Sequence, residues 1–451
     1  MNRSALNRDG GCRGVSRRRF IQTAAMAAAG AALPVRSWAG PPRSGNVMPG
    51  KIVIWEDLGA SSGSTVNLAT VKTMVENSLM ALTGQSTALS ALESLLPGLD
   101  TTKRVAFKVN CINGSVATRW ETVRAVTDLL RQACGGIYPP ANITIFDNRT
   151  ITSYGFNSTN FPGVTIATGV NPDPATLIQV APGVTVQLSS HIVNCDYLIN
   201  CPVLKDHGQT DKRWTIAFKN HIGSVSPVTC HTPNPRLLNI SASEHVREKT
   251  KLILLSAIHA IWTGGPGGSP GSWNLFPEEH TPNAVLLSTD PVTMEHWGIE
   301  LINKERASHG STVYYLPYCE DAAGSPWYLG VYPFSDHEVI TNLPAPASLT
   351  TQPGSTAGVQ LTWPAVTGAA KYRVYRSTDP NFTPDPFGGS NLLTETTSTS
   401  YTDAAAGSDP NANYYYVVRA YRAIWESPDS PRVGAFAYST GGGLEFSRRL
   451  S

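Results

Sequence analysis

The sequence predicts an α/β domain with a mostly parallel sheet and flanking helices, followed by a small all-β domain. Two observations predict this order. Residues 50 to 340 alternate short apolar runs, which suit buried strands, with segments whose apolar residues recur at helical spacing. Residues 343 to 438 contain no Cys or His, and their apolar residues recur at every second position between turn-forming clusters. With 451 residues, the chain is long enough for two or three domains.

Six apolar runs are the predicted strands of the first domain. They are Lys51–Trp55, Val105–Val109, Ile143–Phe146, Tyr197–Ile199, Leu252–Leu255 and Ala284–Leu287. Between the second and third runs, residues 122 to 133 have helical spacing behind Thr118, a plausible N-cap. Strands and helices that alternate favour parallel strands with right-handed crossovers, and ligand sites in such sheets collect beyond the strand carboxyl ends.

Residues 1 to 39 are predicted to be a twin-arginine signal peptide. The run Ser16 to Ile21 resembles the export consensus, a weakly apolar stretch follows, and residues 37 to 39 resemble a cleavage site. The apolar stretch is too short to span a bilayer, and no later stretch approaches eighteen apolar residues. We therefore expect the twin-arginine export machinery as a partner, a periplasmic or extracellular mature protein, and no stable membrane insertion. Residues 439 to 451 are predicted to be a tail.

Removing the signal peptide reverses the sign of the net charge. The whole chain carries +2, but residues 1 to 39 hold seven Arg and one Asp, so the remainder has 28 basic and 32 acidic side chains, a net of −4. This balance argues against nucleic acid as a partner. Six cysteines remain, and whether they form disulfides is left open. No C-x-x-C pair occurs, which argues against a ferredoxin-type iron–sulfur cluster.

The densest group of chemically versatile residues lies after the Tyr197 strand. Lys205 and His207 follow that strand directly, and Lys219 and Asn220 come a few residues later. A lysine supplies positive charge, an amide donates in a fixed direction, and a histidine transfers protons near neutral pH. We predict these four as the catalytic residues of an anion site. The alternative is that they belong to ordinary strand-to-helix loops.

Polar residues also end two other predicted strands. Lys108 and Asn110 follow the Val105 run, and Asp147 follows the Ile143 run. Because carboxyl ends of parallel strands meet at one edge, we predict these three as substrate-binding residues. Turn and cap roles explain them equally well.

A metal site is a further possibility. His207, His231, Asp290 and Glu295 are the candidate ligands, although no spacing fixes any two of them in metal-binding geometry. Asp290 precedes Pro291, so it fits the N-cap of a helix, and it is also a candidate to face Lys205 or orient His207. The cofactor is therefore unknown, with a divalent metal possible.

Four ordered motifs resemble family 362 of domains of unknown function over residues 50 to 310. They are Lys108-Val109-Asn110, Pro202 to His207, Lys219 to Gly223, and Asp290 to Glu295, where Glu replaces the family's final Asp. The resemblance implies the fold and the site but no common reaction. Residues 343 to 438 resemble a fibronectin type III domain, with Trp363 at its core position, which implies a small immunoglobulin-like sandwich.

Two classes of function follow. The first is an exported enzyme that uses acid/base or metal-assisted chemistry on a small anionic substrate held in a Lys, His, Asn and Asp cleft. The second is a non-catalytic cell-surface or polymer-binding protein that uses its fibronectin type III module. A cleft that joins these side chains favours the first class, and scattered side chains favour the second.

Overall fold

The computed structural model describes residues 48–112, 116–207, 214–227, 235–265, 271–314, 318–353, 358–384, 389–407, 412–439 and 444–446. The predicted signal peptide, His231 and most of the predicted tail lie outside these ranges. Within them, no helix is long and apolar enough to cross a membrane.

The first part of the chain forms one large mixed sheet of ten strands. They are β1 (Lys51–Glu56), β4 (Val105–Lys108), β5 (Ile143–Asp147), β6 (Thr165–Thr168), β9 (Tyr197–Asn200), β10 (Val203–Asp206), β11 (Trp214–Thr215), β13 (Thr250–Ile261), β14 (Ala284–Ser288) and β15 (Glu338–Thr341). The strand order is β15-β1-β14-β13-β9-β4-β5-β6, extended by β10 and β11, and along this order every pairing is parallel except the two made by β14. All six predicted strands are present.

The direction of β14 decides where its flanking residues lie. β14 pairs antiparallel with both β1 and β13. Residues that follow β14 therefore lie at the amino edge of the parallel strands, whereas residues that follow β4, β5 and β9 lie at the carboxyl edge. A run of apolar residues does not encode strand direction, so the sequence could not distinguish these two edges.

Both faces of the sheet are covered, as expected for parallel strands. Alternate residues of β1 divide between the faces: Ile52 and Ile54 join one core cluster and Val53 joins another. The nine helices of the described part are α1 (Leu68–Thr83), α2 (Ala88–Leu95), α3 (Trp120–Gly136), α4 (Ser190–Val193), α5 (Ala217–Asn220), α6 (Arg236–Ala242), α7 (Glu244–Lys249), α8 (Pro291–Ser308) and α9 (Tyr318–Ala323). Asn67 caps α1 by accepting from two backbone N–H groups, and Gly84 ends it in the left-handed conformation.

Two small sheets flank the large one. The first is the hairpin of β2 (Ser61–Ser62) and β3 (Thr65–Val66). The second is antiparallel, with the order β12-β8-β7, and contains β7 (Pro172–Ala181), β8 (Val184–Ser189) and β12 (Val225–Ser226). β12 directly follows the segment that carries Lys219 and Asn220. Its pairing with β8 therefore anchors the C-terminal end of that segment.

The C-terminal part consists of antiparallel sheets. One has the order β16-β17-β20, and the other has β19-β18-β21-β22 with β23 on β21. The strands are β16 (Thr350–Pro353), β17 (Val359–Thr362), β18 (Lys371–Ser377), β19 (Leu392–Thr396), β20 (Ser400–Asp403), β21 (Tyr414–Arg422), β22 (Trp425–Glu426), β23 (Val433–Ala435), β24 (Ala437–Ser439) and β25 (Leu444–Phe446). Leu361 and Trp363 pack in the same core cluster as Val374 and Val418, so the two larger sheets share one core.

The C-terminal sheets are docked against the large sheet through a buried ion pair. The Arg422 guanidinium donates to both carboxylate oxygens of Glu56 at 2.6 and 2.8 Å and also contacts Glu278. Beside it, the rings of Phe276 and Trp425 lie 5.7 Å apart. This interface fixes the position of the C-terminal part on the first part.

Candidate functional site

Three neighbouring parallel strands end in polar residues at the carboxyl edge of the sheet. Lys108 ends β4, Asp147 ends β5 and Asn200 ends β9. In register, Lys108 lies opposite Phe146 on one side and Asn200 on the other. The parallel pairing therefore brings residues from distant parts of the sequence into one site, as the sequence predicted for Lys108 and Asp147.

A buried ion pair forms the floor of this site. The Lys108 ammonium lies 2.8 Å from Asp147 Oδ1 and also donates to the Val109 carbonyl and Asn220 Oδ1. The Asp147 carboxylate accepts further hydrogen bonds from the backbone N–H groups of Cys111, at 2.6 Å, and Asn148, at 2.7 Å. All three ammonium donors and both carboxylate oxygens are thus occupied, which a buried pair requires.

Three asparagine side chains connect the strand ends. Asn110 Nδ2 donates to Asn220 Oδ1 at 3.1 Å, and Asn220 Nδ2 donates to Asn200 Oδ1 at 2.7 Å. Asn200 in turn donates to the Ala217 carbonyl. This chain of amides fixes the orientation of each side chain, because each amide has one donor end and one acceptor end.

Lys205 lies behind the asparagines. Its side chain is fully buried, and Nζ donates to Asn110 Oδ1 at 2.7 Å. Burial lowers the pKa of Lys205 to about 7, and the nearby Lys108 ammonium adds to the lowering while the Asp147 carboxylate opposes it. Charged and neutral Lys205 therefore coexist near neutral pH.

A cleft opens in front of this network. It encloses about 550 Å³ of empty space, part of which is open solvent. The lining residues are Lys108, Asn110, Ile112, Asp147, Asn148, Arg149, His207, Lys219, Asn220, Ile222 and Gly223. Six of the seven residues predicted as catalytic or substrate-binding line this cleft. The seventh, Lys205, lies one hydrogen bond behind it.

The cleft lining carries more positive than negative charge. Lys108, Lys219 and Arg149 are its cationic side chains, and Asp147 is its one carboxylate among the described lining residues. Lys219 and His207 are both more than nine-tenths buried, so little water screens their charge or hydrogen-bonding groups. An anion entering the cleft meets this excess of positive charge.

Gly223 allows the segment of Lys219 and Asn220 to approach the ion pair. A Cβ atom on Gly223 would lie 2.8 Å from Asp147 Oδ1 and 2.9 Å from Lys108 Nζ. These distances are too short for a methyl group, so only glycine fits beside the buried pair.

Glu295 holds the same segment from its other side. Its carboxylate accepts from the Phe218 N–H at 3.0 Å and from the Tyr318 hydroxyl. Burial raises the pKa of Glu295 to about 7, with those two hydrogen bonds opposing the shift. The carboxylate thus satisfies backbone donors at the start of α5, which carries Lys219 and Asn220.

Asp290 lies at the opposite edge of the sheet from the cleft. It caps α8 by accepting from Val292 and Thr293, and its other oxygen accepts from Gly50 and Val331. Gly50 precedes β1, so this is the amino edge. The antiparallel direction of β14 is the reason that Asp290 neither faces Lys205 nor orients His207, and four backbone donors occupy its carboxylate.

Of the predicted metal ligands, the three that the structure describes, His207, Asp290 and Glu295, are not brought together. Asp290 and Glu295 both bind backbone N–H groups, at separate places. Throughout the described ranges, no group of three or more His, Cys, Asp or Glu side chains is arranged to hold a metal ion. His231 lies outside those ranges. The five cysteines that the structure describes are free thiols; Cys230 also lies outside them.

Several site residues escaped the sequence analysis. Thr118, expected to cap a helix, instead accepts from the Asn110 N–H and donates to the Cys201 carbonyl, and α3 begins after Arg119. Asn200 ends its strand as Lys108 does, so strand position was a usable signal for it. Arg149 and Gly223 gave no such signal, because their roles depend on the packing of distant segments.

Comparisons with known proteins found matches to solved structures and to one family model. No curated protein matches the sequence. Among solved structures, an Fn3-like protein from Clostridium thermocellum is 34% identical, with 21% of this chain and 92% of that chain covered and a TM-score of 0.17. An fn3 domain of the human collagen alpha-1(XX) chain is 24% identical, with 22% and 90% covered and a TM-score of 0.18. Residues 105–300, which include every described lining residue of the cleft, match the family model "Domain of unknown function (DUF362)".

Proposed function

We propose that this protein binds a small anion in the cleft at the carboxyl edge of its large sheet. The observation that carries the proposal is the convergence of three separate segments, 108–112, 147–149 and 219–223, on one cleft that has three cationic side chains and one carboxylate. Ammonium and guanidinium groups and amide N–H donors are the groups that bind carboxylates, phosphates and sulfates in proteins.

Within this proposal the residues divide into two sets. Lys219, Arg149 and Asn148 line the cleft and bind the anion. Lys108, Asp147 and the asparagines hold the floor rigid through their mutual hydrogen bonds. Preorganised donors of this kind lose little entropy when a ligand binds.

As an enzyme, the protein would use His207 as the proton donor or acceptor. His207 lines the cleft beside the cationic groups, and imidazole titrates nearest to neutral pH of all side chains. Lys205 is a second proton-transfer group, because both of its charge states are populated near pH 7. Lys205 lies behind Asn110, and we propose that its charge state changes when a charged ligand binds in the cleft.

The test is calorimetric titration of the full chain with inorganic phosphate, sulfate and acetate. For any of these anions that binds to wild type, Lys219→Ala should raise the dissociation constant about tenfold or more, because a charge-assisted contact in a shielded site is lost. The control is Lys304→Ala, an exposed lysine on α8 outside the cleft. If wild type and Lys219→Ala bind all three anions equally, or not at all, the proposal fails.

We also propose that the mature protein is exported by the twin-arginine route to the periplasm or cell exterior. The support is the run of three arginines at 17 to 19 before a weakly apolar stretch. Replacing Arg18 and Arg19 by Lys should leave the full-length precursor in the cytoplasm. N-terminal sequencing of exported wild type should begin near Gly40, and export of the double-Lys protein would contradict the route.

The C-terminal sheets support assignment of residues 343 to 438 as a fibronectin type III domain. Trp363 and Tyr372 pack edge to face with ring centroids 5.6 Å apart, which agrees with an aromatic core role rather than a ligand platform. The rival function, a polymer-binding surface protein, would use this module. Co-sedimentation with isolated envelope polymer distinguishes polymer binding from anion binding in the cleft. Polymer binding through the C-terminal domain would persist in Lys219→Ala, because Lys219 lies in the cleft and not in that domain.

A further inference from the structure

Two isoleucines line the same cleft as the cationic groups. Ile112 is 44% exposed, which makes it one of the few large apolar side chains on the described surface, and Ile222 packs at its inner end. A single exposed isoleucine needs no explanation. Ile222 is 7% exposed and packs in the core cluster of Phe146 and Leu188 while it also lines the cleft, so the two isoleucines give this cationic cleft an apolar side.

Both isoleucines are positioned by the polar network. The cleft contains two Asn-x-Ile segments, Asn110-Cys111-Ile112 and Asn220-His221-Ile222. The two asparagines are hydrogen-bonded to each other at 3.1 Å. The segments are therefore joined at their polar ends, and each places an isoleucine two residues further on.

The positions after each asparagine are also fixed. The Cys111 N–H donates to Asp147 Oδ2 at 2.6 Å, which holds the backbone just before Ile112. Gly223, just after Ile222, is in close contact with the Lys108–Asp147 pair. The backbone beside each isoleucine is thus held against the Lys108–Asp147 pair at the floor of the cleft.

We propose that the ligand is an organic anion with an apolar tail, whose acid group meets Lys219 and Arg149 and whose tail lies against Ile112 and Ile222. This inference rests on the anion-binding function proposed above and adds its substrate class. The acid group is a carboxylate or a phosphate ester, and the tail extends from it along the part of the cleft lined by Ile112 and Ile222.

The experiment measures affinity against chain length at constant ionic strength. The probes are acetate, butanoate and hexanoate, with methyl, butyl and hexyl phosphate as the second series. In wild type, the dissociation constant should fall about two- to fourfold for each added CH2 group in the series whose acid group fits. Ile112→Ser and Ile222→Ala should each flatten this slope while binding of the shortest member stays within about twofold.

The matched control is Ile137→Ser, which removes an even more exposed isoleucine outside the cleft lining and should keep the wild-type slope. If acetate or methyl phosphate binds but longer chains bind no better, the tail is refuted while anion binding stands. A slope that persists in both cleft variants also refutes it. If no member of either series binds to wild type, the proposed function itself fails.

Discussion

The buried ion pair of Lys108 and Asp147 gives the sharpest prediction, because its side chains are only 1% and 6% exposed. Asp147→Asn keeps the side-chain shape and removes the charge, which leaves the Lys108 ammonium buried without a counter-ion 2.8 Å away. Breaking a pair of this kind costs about 3–5 kcal/mol of unfolding free energy. With an unfolding entropy of about 2.1 cal/mol/K per residue over 451 residues, that corresponds to a drop of about 3–5 °C in Tm.

Thermal unfolding followed by circular dichroism measures the effect, and a double variant identifies its cause. Lys108→Met combined with Asp147→Asn removes both charges, so it should recover at least half of the loss. The comparison variant is Asp128→Asn, which breaks the partly exposed ion pairs of Asp128 with Lys72 and Arg124 and should cost no more than about 1–2 kcal/mol. The reasoning is refuted if Asp147→Asn costs as little as Asp128→Asn, or if the double variant loses as much as the two single variants combined.

Three further substitutions separate positioning from binding. Gly223→Ala should lower both Tm and anion affinity, measured by thermal unfolding and calorimetry, because its Cβ would lie 2.8 Å from Asp147 Oδ1. Asp290→Ala should cost about 2–4 kcal/mol by thermal unfolding and leave the anion dissociation constant unchanged, since four backbone donors lose their acceptor at the far edge of the sheet. Glu295→Gln should change the pH dependence of stability. The pKa of Glu295 is raised in the folded protein, so its contribution is complete below about pH 4.5 and is lost as pH rises through about 7; melts from pH 5 to 8 should show wild type losing stability relative to the Gln variant.

Local sequence pattern predicted the six strands and six of the eleven residues that line the cleft. The remaining residues could not be predicted, for physical reasons. Lys108, Asn110 and Asp147 were found because residues at the ends of parallel strands share an edge. Asp290 was placed at the wrong edge because β14 runs antiparallel, which a short apolar run cannot reveal. Gly223 ends one of the four motifs, but its role was not predicted because it comes from close approach to Lys108 and Asp147, which are more than seventy positions away in the sequence.

The site therefore contains two kinds of cationic residue that the sequence alone could not separate. Lys108, at the floor of the cleft, and Lys205, behind it, have their ammonium groups bound to protein oxygens, whereas we assign Lys219, which is buried, and Arg149, which is exposed, to the anion. Removing a cation from the first set leaves buried acceptors unsatisfied, and removing one from the second set removes attraction for the ligand. An anion bound by the second set would also favour the charged form of Lys205, because a nearby negative charge raises the pKa of a lysine. Anion binding should then take up a fraction of a proton per site near pH 7, which calorimetry in buffers of different ionisation enthalpy detects. Lys205→Met should abolish that uptake, and unchanged uptake in Lys205→Met would show that a different group takes up the proton.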